Sequence, residues 1–78
     1  MTKITYERLV YPVRIVAGYI EKTNKTGRKY YNTFCRFKAG GIKTTCMDTR
    51  AIYDKQKAAE NSYFMLDLAE SRIQRGEI

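Results

Sequence analysis

The adjacent pair Gly40-Gly41 constrains this chain more than any other feature. Two neighbouring glycines accept the positive φ of a two-residue hairpin turn without strain, and here they divide two runs rich in β-branched and aromatic residues. Residues 28–39 and 42–47 are therefore predicted to be antiparallel neighbours. Upstream, Thr23-Asn24-Lys25-Thr26-Gly27 is a cluster of turn formers. It separates residues 28–39 from the run VRIVAGYIE at 13–21, whose start is set by Pro12. The result is a three-stranded meander with a first loop of three to five residues.

After Asp48-Thr49, either of which suits a helix N-cap, the apolar period changes from 2 to 3.6 and holds to Arg75, with Gly76 placed as a stop. Ile52, Ala59, Leu66 and Ile73 recur every seven residues, and Ala58, Ser62, Tyr63 and Ala69 widen the stripe. This predicts one helix over 49–75, or two with a bend near Asn61-Ser62. Residues 3–9 receive no assignment. A chain of 78 residues has room for one core. The expected fold class is α+β: a single domain over residues 1–78, with a three-stranded antiparallel β-meander and one long C-terminal α-helix packed on one face.

Register then sorts the side chains. The glycine turn pairs Ala39 with Ile42, Phe37 with Thr44 and Cys35 with Cys46. A three- or five-residue first loop sets Tyr31 opposite Tyr19, Cys35 opposite Ile15 and Phe37 opposite Val13. The core face is then Val13, Ile15, Ala17, Tyr19, Tyr31, Cys35, Phe37, Ile42 and Cys46. Both cysteines are expected as buried thiols side by side under the helix. The opposite face carries Arg14, Val16, Gly18, Ile20 and Lys22, then Tyr30, Asn32, Phe34, Arg36 and Lys38, then Lys43, Thr45 and Met47, with no acidic residue. Val16, Ile20 and Phe34 can form a minor cluster covered by the N-terminal segment.

The charge is equally one-sided. Residues 1–50 hold eleven Lys and Arg against three acids, a net +8, while residues 51–78 hold four against five, a net −1. A cationic face beside a near-neutral half attracts anionic partners. Arg14, Lys22, Lys25, Arg28, Arg36, Lys38 and Lys43 are candidates for phosphate contacts, with Tyr30, Asn32 and Thr45 for base edges. The expected partner is nucleic acid, duplex DNA before RNA. The alternative is a small accessory or inhibitor protein that binds an acidic surface of another protein.

Catalysis is not expected. Histidine is absent, Asp48, Asp54, Glu60 and Asp67 lack metal-ligand spacing, and no Gly-rich phosphate loop occurs. No metal or cofactor is implied. Met1-Thr2-Lys3 opens no signal sequence and no apolar run approaches a bilayer span, so the cytoplasm is the expected location, without a membrane partner. A helix over 49–75 would measure about 40 Å against about 30 Å for a nine-residue strand, and would overhang the sheet. Met65, Leu66 and Ile73 are accordingly expected to contact another protein chain, as in a homodimer.

The run G-R-K-Y-Y-N-T-F-C-R-F-K-A-G-G, a short strand, and then K-A-A-E…L-A-E-S-R-I-Q-R-G-E resemble the arm-type DNA-binding domain of phage and transposon tyrosine recombinases, over residues 18–77. The resemblance implies a three-stranded sheet laid in the DNA major groove. It implies contacts from Tyr30, Asn32, Arg36, Lys38, Lys43 and Thr45, and nothing catalytic. The chain departs from that family in having no Trp in the first strand, a longer helix and no recombinase catalytic domain following. An excised domain, or a free-standing phage-encoded relative, would fit.

Overall fold

Four strands and a helix follow one another in the computed structural model, which describes residues 2–76: β1 (Lys3–Val10), β2 (Val13–Thr23), β3 (Lys29–Ala39), β4 (Ile42–Ile52) and α1 (Lys55–Gln74). The strands form one antiparallel sheet in the order β1-β2-β3-β4. The α+β class and the C-terminal helix are as expected; the sheet has four strands, not three. The additional strand is β1. Its residues alternate between half-buried and exposed, with Ile4, Tyr6, Arg8 and Val10 facing the helix. A charged residue in that row hides the period in the sequence. Arg8 is accommodated because its guanidinium bonds Asp67 and lies 3.4 Å from Glu70, both on α1.

The glycine turn gives the expected β3–β4 register, with Ala39 opposite Ile42 and Cys35 opposite Cys46. The β2–β3 register lies two residues from the expected one, pairing Ile15 with Phe37 and Ala17 with Cys35. Asn24 explains the shift. Its Oδ1 accepts from the Thr26 and Arg28 amides at 3.0 and 2.9 Å, closing a loop over residues 24–28, within the expected length but centred one residue further along, in which Gly27 takes φ 86°. A shift of two residues preserves parity, so every side chain keeps its expected face.

Strand β4 runs on to Ile52, past the expected end at Met47, and the helix begins at Lys55 instead of residue 49. Asp54 is the N-cap, its Oδ1 accepting from the Gln56 amide at 2.9 Å. Ile52, expected on the helical stripe, packs in the sheet opposite Tyr31. An irregularity between Thr33↔Asp48 and Tyr31↔Ile52 makes this possible by bulging β4. The Asn32 amide supports the bulge, donating to the Arg50 carbonyl at 3.0 Å.

Helix α1 is a single element, continuous through Asn61-Ser62. Ala58, Ser62, Leu66 and Ala69 are its buried stripe. Ser62 donates to the Ala58 carbonyl at 2.8 Å, and Asn61 reaches Thr33 Oγ1 at 2.6 Å, so both polar residues are satisfied within the helical path. Leu66 and Ala69 pack on Val13, Ile15, Ala17, Cys35 and Phe37. Ala58 lets the first half of the helix approach Tyr19 and Tyr31, whose rings meet edge-on at 5.5 Å.

Twenty helical residues measure about 30 Å and eleven extended residues about 36 Å, so α1 fits within the sheet. The expected overhang is absent. Leu66 is 1% exposed in the core, and Met65 and Ile73 are partly buried against it. The second cysteine also departs from expectation. Cys35 is buried but Cys46 is exposed, because α1 packs mainly on β2 and β3 and leaves β4 largely uncovered.

Candidate nucleic-acid interface

The face of the sheet away from α1 is built by alternation on all four strands. Lys3, Thr5, Glu7 and Leu9 of β1 join the residues expected from β2, β3 and β4. Lys3 was not legible as a contributor, since its strand was not. Glu7 is the one acid that β1 brings to this face.

Register clusters the cations. Lys38 lies directly opposite Lys43, Arg36 opposite Thr45 and Val16, and Arg14 opposite Leu9. Two shallow depressions adjoin on this surface. One, of about 370 Å³, is lined by Arg14, Val16, Arg36, Lys38 and Lys43; the other, of about 200 Å³, by Lys3, Phe34, Arg36, Lys43, Thr45 and Met47. Arg36 and Lys43 border both. Like charges directly across a strand pair destabilise a sheet unless something anionic lies between them.

Glu7, opposite Val16, is on this face; the carboxylates held in ion pairs point elsewhere. Among the described residues, the ion-pair carboxylates are Asp67 and Glu70 on α1, and Glu21 and Asp48 on the helix side of the sheet. Their cations are Arg8, Lys29 and Arg50. The Arg50 guanidinium holds the Asp48 carboxyl down at about 2, from an ordinary 3.8. Arg14, Arg36, Lys38 and Lys43 take part in none of these pairs.

Phe34 organises the middle of the face. It lies opposite Gly18 and Met47 and is 4% exposed although it points away from the helix. The Lys3 ammonium stands 5.1 Å from its ring centroid and the Arg36 guanidinium 5.9 Å, so two cations rest on one aromatic support. Phe34, one of the three apolar residues expected to cluster here, is thus covered on this face, with Lys3 and Arg36 lying over its ring.

The remaining candidates fall in three places. Thr45 is within the cationic cluster. Lys22 lies opposite Tyr30 toward the far end, where the loop carrying Lys25 leads to Arg28. There the Arg28 guanidinium is 4.0 Å from the ring centroid of Tyr53, which also packs 6.2 Å from Tyr30. Tyr53 was missed because the sequence placed it inside the helix. Asn32 is 6% exposed with its amide bonded to Arg50, which withdraws it from contact with a ligand.

Among the described residues no group of three Cys, Asp or Glu is placed to hold a metal ion, and no helix is long and apolar enough to cross a membrane. Comparison with protein-family models, with curated proteins and with solved structures finds no match for this chain.

Proposed function

We propose that this domain binds nucleic acid, duplex DNA in the first place, through the open face of its sheet, and that its role is binding, not catalysis. The observation that carries this reading is the cluster of Arg14, Arg36, Lys38 and Lys43 on one surface, with Lys38 set against Lys43 and the ion-pairing carboxylates directed to the other side. A phosphate backbone supplies the missing counter-charge.

Four strand axes span about 14 Å, more than the roughly 12 Å of a B-DNA major groove, which admits a two-stranded ribbon. In this reading the β3–β4 hairpin enters the groove with Arg36, Lys38, Lys43 and Thr45. Arg14 and Lys3 on the outer strands then meet the flanking phosphates. Each phosphate contact releases condensed counterions, so the slope of log K against log salt is about −1.8 from Arg14 and Lys3 alone and reaches about −4.5 where Arg36, Lys38 and Lys43 each neutralise a phosphate as well.

A salt titration on random duplex DNA tests it. Arg36→Glu and Lys43→Glu are expected to weaken binding at least tenfold and flatten the slope. Lys57→Glu on α1 should change little. Equal effects from the two sets, or no binding by the wild type at low salt, would sink the reading.

A further inference from the structure

We propose that β4 accepts an extended segment of a partner protein as a fifth strand, and that the segment alternates apolar residues with Asp or Glu. The inference does not rest on the nucleic-acid reading. It comes from what flanks the free edge of the sheet.

The two edges differ. On β1, Arg8 is turned to the helix side and tied to Asp67 and Glu70, and Lys3 and Glu7 point to the other side, so charge guards that edge on both faces. On β4 the charges Asp48 and Arg50 and the bulge lie beyond Met47, and the stretch from Ile42 to Met47 is Ile-Lys-Thr-Thr-Cys-Met, without proline and with one charge. Edge strands with unpaired amides and carbonyls and so little protection are templates for pairing.

On the helix side of β4 an apolar channel stays open. A four-stranded sheet is about 19 Å wide and one helix covers about 10 Å of it. Because α1 packs mainly on β2 and β3, the strip above β4 is left with a cavity of about 60 Å³ between Phe37, Cys46, Met65 and Leu68, with Arg72 at its border. That is several times the space one water needs, and its walls are apolar. Leu68, 49% exposed, opens it to the surface, and Ile42, 71% exposed, lies further along the same side of β4. On the opposite side of the same strand stand Lys43, with Lys38 and Arg36 beside it on β3.

A strand added to this edge presents successive side chains to opposite faces. One set enters the apolar channel. The other meets the cations, so acidic residues match there. A second copy of this chain fits poorly, because pairing its own β4 would bring a further Lys43 to the cationic side.

The test uses the whole protein, ¹⁵N-labelled, and a fluorescent nine-residue peptide of alternating valine and glutamate with leucine at its centre. The comparison peptides are one of the same composition in block order, and two N-methylated at every second residue, one in each phase. The alternating peptide is expected to bind saturably, shifting amides of residues 42–48 and Leu68. The block-order peptide should bind at least tenfold more weakly, and one N-methylation phase should abolish binding while the other is tolerated. Leu68→Glu and Lys43→Glu, both at exposed positions, should each weaken binding at least tenfold. Equal binding of the block-order peptide would overturn the proposal, as would tolerance of both phases, shifts confined to Arg14 and its neighbours, or a wild-type dimer with β4 amides already protected from exchange.

Discussion

Gly18 has no room for any side chain. A Cβ there would lie 1.9 Å from the Ile4 carbonyl oxygen and 3.0 Å from the Thr5 Cα, both backbone atoms of β1. Since backbone cannot turn aside as a side chain can, Gly18→Ala is expected to destabilise the fold by at least about 2 kcal/mol in a urea titration, by forcing β1 away. The two cysteines should separate in a native thiol-labelling experiment. Burial pushes the Cys35 thiol up to about 11, so it should react only on unfolding, while exposed Cys46 should label at once. Asp48 predicts an acid dependence. Its folded value of about 2 lies below the ordinary 3.8, so its contribution is present above 3.8 and is lost as pH falls through about 2. Asp48→Asn should lower stability at neutral pH and flatten stability against pH over that interval.

At the scale of elements, α1 is held by one stripe. Leu66→Ala is expected to cost about 3 kcal/mol, a large share of the roughly 4–12 kcal/mol available to a domain of this size, whereas Leu68→Ala should be close to neutral. Equal losses would mean that the helix is rotated from the orientation described. Leu66→Glu with Ile73→Glu should unfold the protein, since a charge at Leu66 has no exit to water. The helix boundary shows how neighbouring elements compete for the same residues. Residues 49–54 fit the first turns of a helix by apolar spacing, but Ile52 gains more by packing against the cluster of Tyr19, Tyr31 and Ala58. The bulge, supported by Asn32, lets β4 continue, and Asp54 takes over as cap.

For the molecule as a whole, the helix covers one face of the sheet and the other stays cationic. The charge asymmetry between the two halves of the sequence thereby becomes an asymmetry between two sides of one small body, 43 × 21 × 17 Å. Under the proposed function, association with DNA should be fast at low ionic strength and slow steeply with added salt, while the dissociation rate should respond less, because long-range steering acts on the approach. Stopped-flow association at two salt concentrations checks this. A salt effect lying wholly in dissociation would argue for a short-range contact instead of a steering face.

The antiparallel hairpins, the faces of β2, β3 and β4, and the helix with its stop at Gly76 are legible in the residues alone, because turn chemistry and side-chain period are local. Parity made the faces safe even where the register moved by two residues. Tertiary structure alone decided what depended on partners distant in the chain. Arg8 reads as a surface residue until Asp67 and Glu70, some sixty positions away, admit it to a helix-facing row and so make β1 a strand. Asn32 reads as a free amide until the bulge of β4 takes it up. Cys46 reads as core until the narrow footprint of α1 leaves it in water, since one helix covers only about half the width of four strands.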